Sequence, residues 1–312
     1  MHIAIILITI LPLALCCPPA DSLYPCICKE FDSVMTLDII CEGLTNIYDL
    51  QNSAAACKKR SNIRNFRIIN SVFNFIPQFT FNESLFTTLE VKDSTMYSIS
   101  NTGKAFRGLE KTLHTLVLKN STFFGLWNWS KLKLLKKIRH LMVSDSGLQS
   151  IEKDIENINF VKGVDLSKND ISWIYAHAFE KFEDLSYLIL AENKIKELKR
   201  SMLPNPGPVF RFINLRQNQI QTLPIDMFQN MPKLDTFLIS GNHILTLDER
   251  TYSAAWNQLA FIDLDDNDLR CDCRMSWIIK TRLPRTTIGF CSEPPELKGK
   301  NLTKLTGKDL WC

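Results

Sequence analysis

No cysteine occurs between Lys58 and Arg270, although the 312-residue chain carries ten. No GxSxG, HExxH or glycine-rich phosphate loop occurs either. That leaves out the sequence signatures of serine hydrolases, zinc proteases and nucleotide-binding folds. With 11 glycines and 13 prolines there is no room for a long flexible linker. A net charge of +4 is too small for a nucleic-acid binder. The histidines, His2, His114, His140, His177 and His243, are scattered rather than clustered. No nucleophile–base pair or metal constellation is visible, so a non-enzyme without cofactor or metal is expected. After the first residues, no apolar run is long enough to span a bilayer.

What is present is ordinary globular material, 45% hydrophobic and 22% charged. Residues Ile3 to Cys17 are apolar, uncharged and interrupted by Pro12, which reads as a secretory signal. Cleavage after Cys16 suits the small-residue rule better than cleavage after Ala20, and both remain open. The C-terminus has no hydrophobic tail, so a soluble, secreted product is expected.

The dominant feature is a repeat. The pattern LxxLxLxxNxL fits nine times, starting at Ile63, Phe86, Leu113, Ile138, Val161, Leu185, Phe210, Leu234 and Leu259. Its ninth position reads Ser71, Ser94, Ser121 and Ser146, then Asn169, Asn193, Asn218, Asn242 and Asn267. The alternating x-L-x-L segment predicts a short strand with one face inward. The Asn then turns the chain and offers hydrogen bonds to neighbouring coils. About ten residues on, Phe179, Leu203, Phe228 and Tyr252 are placed to fill the return side. One coil cannot bury its own apolar face, so the coils must stack into an α/β solenoid with parallel strands. Serine reaches less far than asparagine, which predicts a looser half before Val161 and a regular half after it.

Stacked coils expose an apolar cross-section at each end, and the cysteines sit where lids are needed. The neighbours within each C-x-C are poorly placed to pair with each other. The expected pairs are Cys17–Cys28, Cys26–Cys41, Cys271–Cys291 and Cys273–Cys312, each contributing about 2–4 kcal/mol. Cys57 is left over. Trp277, Ile278 and Ile279 suit a short helix over the last coil. The expected divisions are a signal over 1–16, a front cap over 17–57, about nine repeats over 58–270 and an end cap over 271–312.

The CPP…CxC…C front, the LxxLxLxxN coils and the CDC…C…C end resemble secreted extracellular leucine-rich repeat proteins. The resemblance implies a horseshoe with a parallel β-sheet on its concave face and disulfide-stapled caps. In overall plan the chain is similar to a group of non-catalytic subunits of luciferin monooxygenase complexes. That likeness implies a binding subunit rather than a catalyst.

Pattern positions three and five point out of the concave sheet. In the second half this brings Tyr187, Ile189, Phe212, Leu238 and Phe261 to solvent together, rimmed by Arg216, Asp263 and Asp265. Such a patch predicts a site for a secreted or cell-surface protein partner. The alternative is a matrix or adhesion role using the basic run Lys131 to His140 on the convex face to bind acidic polysaccharide. The acidic stretch Asp263 to Asp268 fails the EF-hand pattern, with Asp268 and Arg274 where Gly and Glu are needed. Sequons at Asn82, Asn120, Asn128 and Asn301 mark expected glycans.

Overall fold

The computed structural model describes residues 17–31, 36–102 and 106–312. The expected signal over 1–16 lies outside the described residues.

The alternating segments form short strands of one twelve-stranded sheet. Strand β1 (Ile27–Phe31) pairs antiparallel with β2 (Thr36–Glu42), and every later pairing is parallel. From β2 the sheet runs through β3 (Ile63–Ile69), β5 (Thr88–Lys92), β7 (Thr115–Lys119) and β9 (His140–Ser144). It continues through β11 (Gly163–Asp165), β13 (Tyr187–Ile189), β14 (Phe212–Asn214), β15 (Thr236–Leu238) and β16 (Phe261–Asp263) to β17 (Thr286–Ile288) in the end cap. A second, broken sheet follows on the flank. It has β4 (Val72–Phe73), β6 (Thr95–Met96) and β8 (Thr122–Phe123) in one piece, and β10 (Ser150–Ile151) with β12 (Trp173–Ile174) in another.

The register is unslipped from coil one to coil nine. Position three runs Asn65, Thr88, Thr115, His140, Gly163, Tyr187, Phe212, Thr236, Phe261 through successive partners. A one-residue slip would turn every inward leucine to solvent, so the continuous core pins the register. That core contains Leu188, Leu190, Ile213 and Leu215 from the strands, and Phe179, Leu203, Phe228 and Tyr252 from the return side, all buried.

The ladder residues join the coils. In the first half each Ser Oγ accepts one backbone N–H from the coil before: Ser71 from Leu44 at 3.0 Å, Ser94 from Ser71 at 3.1 Å, Ser121 from Ser94 at 3.3 Å and Ser146 from Ser121 at 3.4 Å. Each asparagine does more. Asn193 Oδ1 accepts from Ile171 N at 3.0 Å, while Nδ2 donates to Leu166 O at 2.9 Å in the previous coil and to Leu190 O at 3.0 Å in its own. The residue before each ladder position takes positive φ, as at Asn70, Asp93, Asn120, Asp145, Lys168, Glu192, Gln217 and Asp266, with Gly241 in the equivalent place. This left-handed step swings the chain out of the strand and is least costly for Asn, Asp and Gly.

The first half is not looser in the concave sheet. Strands β3, β5, β7 and β9 are five to seven residues long, against three for β11, β13, β14, β15 and β16. The weakness of serine appears only at the ladder seam, in its fewer and longer hydrogen bonds.

Disulfides Cys17–Cys28 and Cys26–Cys41 tie the front cap, where helix α1 (Ala20–Leu23) meets α2 (Ile47–Ala56). Ser53 Oγ of α2 donates to Leu23 O at 2.8 Å. Cys271–Cys291 and Cys273–Cys312 tie the end cap. The short helix expected at Trp277 to Ile279 does not form; a 3₁₀ turn over Cys273–Met275 and irregular turns take its place. So short a segment cannot nucleate a helix alone. Trp277 is held instead by its indole N–H, which donates to Leu247 O at 2.7 Å, and by edge packing on Trp256 at 4.8 Å.

Candidate concave binding face

The concave surface changes character along its length. At the front it is ionic and internally paired. Arg67 lies 3.2 Å from both Asp38 and Glu90, and Asn65 donates to Asp38 at 2.6 Å. In the second half, aromatic and aliphatic side chains take over at the same positions.

Tyr187 and Phe212 are register partners on adjacent strands, both half-buried, with Ile189 two residues beyond Tyr187 and Phe261 two strands beyond Phe212. The Tyr187 ring does not stand up into the concavity. It lies back across Gly163 and stacks on His140 two coils away, with centroids 5.9 Å apart and planes 13° apart. Its hydroxyl meets His140 Nδ1 at 2.9 Å. A Cβ on Gly163 would sit 1.9 Å from the ring, so the glycine makes room for it. Burial, then the nearby Asp165 carboxylate, push the tyrosine hydroxyl above its ordinary pKa. A ring fixed at both ends gives up little conformational entropy when a partner arrives.

Arg216 reaches in the other direction. Its Nε donates to Asp263 Oδ2 at 2.9 Å and to Ser240 Oγ at 3.1 Å, and Ser240 Oγ donates to the same carboxylate at 3.0 Å. This span crosses coil eight, where Leu238 sits in register between Asn214 and Asp263. Two expectations change as a result. Leu238 is only 4% exposed and is not part of an open patch. Asp263 is buried beneath the guanidinium, its oxygens satisfied by Arg216, Ser240 and the backbone N–H of Asp265, so it is a structural anchor rather than a free rim charge. Tyr187, Ile189, Phe212 and Phe261 remain partly open, with Arg216 and Asp265 beside them.

Sequence reasoning did not single out His140 and Gly163. The signal was available: a glycine at position three between a histidine and a tyrosine.

The basic run does not form a free stripe. Lys131 bonds Ser98 Oγ and Ser100 O, the latter at 2.6 Å, and its burial lowers the ammonium pKa. Lys136 lies over the Phe160 ring at 4.4 Å, and His140 is on the concave side. Lys133, Lys136 and Lys137 stay exposed.

Asn82, Asn120 and Asn128 are exposed and Asn301 is half-buried. Asn120 follows β7 directly and donates to Asp93 at 2.7 Å. Asp272, Cys273 and Cys312 lie close together, but the two sulfurs are bonded to each other and Asp272 is paired with Arg274 and Arg270, so this cluster has no ligands to spare for a metal. Cys57 is buried; its thiol donates to Ser53 O at 3.2 Å and burial pushes its pKa up to about 12. No helix among the described residues is long and apolar enough to cross a membrane.

No family model matches the chain. Mouse (Mus musculus) trophoblast glycoprotein is 30% identical over 135 residues, covering 41% of this chain and 31% of that protein. Curated relatives are matched over about a third of their length or less. Among solved structures, a chain of the octameric complex of latrophilin 3, Unc5D and FLRT2 (LRR) superposes with a TM-score of 0.64 at 17% identity, covering 82% of this chain and 85% of that one. Human 5T4 (trophoblast glycoprotein) superposes with a TM-score of 0.58 at 18% identity, covering 91% and 98%. The chain has the leucine-rich repeat solenoid fold, and its relatives are extracellular leucine-rich repeat proteins.

Proposed function

We propose that the chain is a secreted, non-enzymatic binding protein that holds a protein partner against the second half of its concave face. One observation carries this reading: Tyr187, Ile189, Phe212 and Phe261 stand partly open on β13, β14 and β16 of one sheet, while the front of the same sheet is closed by its own ion pairs. Aromatic anchors on a preformed surface suit protein recognition, because little order has to be imposed on binding. The solved complex that contains FLRT2 supports the class of partner. The caps over 17–57 and 271–312 and the coils over 58–270 serve as scaffold. The narrower form of this reading, a non-catalytic subunit of a luciferin monooxygenase complex, rests on likeness of plan alone.

The test is capture from the native secretion by wild type and by Phe212→Ala/Phe261→Ala. Loss of the captured protein in the double variant is expected, and unchanged capture rejects the concave site. Retention of the wild type on heparin at physiological salt would point instead to an acidic polysaccharide.

A further inference from the structure

Beyond the ladder serines, the flank of coils one to three carries an apolar strip that the solenoid does not use. In β4, β6 and β8, Phe73 and Met96 turn inward and are buried. Past the strand ends, Tyr97 and Phe124 stand outward, 62% and 73% exposed, tied side by side by the bonds from Phe124 N to Met96 O at 3.0 Å and from Gly125 N to Tyr97 O at 2.6 Å. A Cβ on Gly125 would sit 3.1 Å from the Tyr97 ring, so the ring lies over the glycine. Leu126 follows at 96% exposure, and Val72 extends the strip toward the front cap.

The relief matters as much as the composition. Tyr97 and Phe124 form a ridge shared by two hollows. One, of about 580 Å³, reaches toward Ile47 and Val72; the other, of about 500 Å³, opens toward Leu126 and Trp127, where the flank sheet breaks between β8 and β10. No charged residue lines the first hollow, and Glu152 alone does in the second.

We infer that this flank is the contact surface between two copies of the chain. Apart from Glu152 in the second hollow, a partner chosen by charge would find nothing to pair with here. For two molecules of the same net charge, +4, an uncharged strip is where they approach with least repulsion. A ridge beside a hollow is self-complementary under a two-fold axis, since each copy's Tyr97 and Phe124 can enter the other's hollow. The extent is adequate. At these exposures Tyr97 and Phe124 leave roughly 200–340 Å² uncovered, and Val72, Leu126 and the walls of the two hollows add to it, toward the roughly 800 Å² per partner of a standard interface. The surface is separate from the concave face, so a dimer formed here leaves that site open.

Sedimentation equilibrium of the secreted protein with its native glycans, from about 1 to about 100 µM, tests this. Wild type should pass from monomer to dimer in that range. Tyr97→Lys/Phe124→Lys, and separately Leu126→Lys, should raise the dissociation constant at least tenfold, with unchanged circular dichroism. Phe212→Ala/Phe261→Ala should dimerise like wild type. A monomer throughout overturns the inference. So does a dimer that survives both flank variants, and so does one lost only on the concave variant.

Discussion

Asn218→Ala isolates what the asparagine ladder contributes. The side chain is buried; Oδ1 accepts from Ile195 N at 3.0 Å, and Nδ2 donates to Leu190 O at 2.9 Å, Leu215 O at 3.0 Å and Arg216 O at 3.2 Å. The three carbonyls keep other donors: Leu190 O retains Asn193, Leu215 O retains Asn242, and Arg216 O retains Glu192 N. Among the described residues, the amide of Ile195 has no second acceptor. One orphaned buried donor costs about 1–3 kcal/mol, and the thinner bonding of the carbonyls adds to it, giving about 2–4 kcal/mol in all. Ser121→Ala is the control. It also orphans one buried donor, Ser94 N, but through a longer 3.3 Å bond, and it thins only one carbonyl, Lys119 O, which retains Asp93 N, so about 1–2 kcal/mol is expected. Urea unfolding followed by tryptophan fluorescence measures both. Equal losses, or less than about 1 kcal/mol for Asn218→Ala, would show that the ladder does not couple the coils in this way.

Three further outcomes follow from the geometry. Gly163→Ala should expel the Tyr187 ring from His140, seen as a change in the His140 ring resonances, and should cost about 1–3 kcal/mol by overpacking. The Cys57 thiol should not react with a thiol reagent at pH 8 in the folded protein and should react fully once unfolded; its raised pKa also means that the stability it supports is complete below the unfolded thiol pKa of about 8.5 and declines as pH rises toward about 12. Asp309, held down to about 2 by hydrogen bonds from Lys300 and then Thr306, favours the folded end cap above about pH 4 and loses that effect as pH falls toward 2, so the fluorescence of nearby Trp311 should lose part of its acid response in Asp309→Asn.

The strands were legible because their signal is local and recurs: an inward pair such as Leu188 and Leu190 and a ladder residue such as Asn193 lie within a few residues of one another. What the repeat could not convey are contacts between coils. Leu238 carries the pattern of an exposed position, and only the reach of Arg216 to Asp263, 47 residues away, closes it off. The Tyr187 ring folds onto a glycine two dozen residues earlier for the same kind of reason. Lys131 looked like a surface charge until Ser98 and Ser100 met it from a neighbouring coil. The flank aromatics Tyr97 and Phe124 each follow a ladder serine by three residues, so the period itself makes them neighbours; what the pattern does not convey is that both side chains stand outward.

Hydrogen exchange on the complex captured from native secretion, compared with the free chain, tests most directly whether the second half of the concave face holds the partner. Slowed exchange confined to β13 through β16 and the backbone around Arg216 is the expected result. Protection of the convex side or of the first coils, with β13 and β14 unchanged, would contradict it.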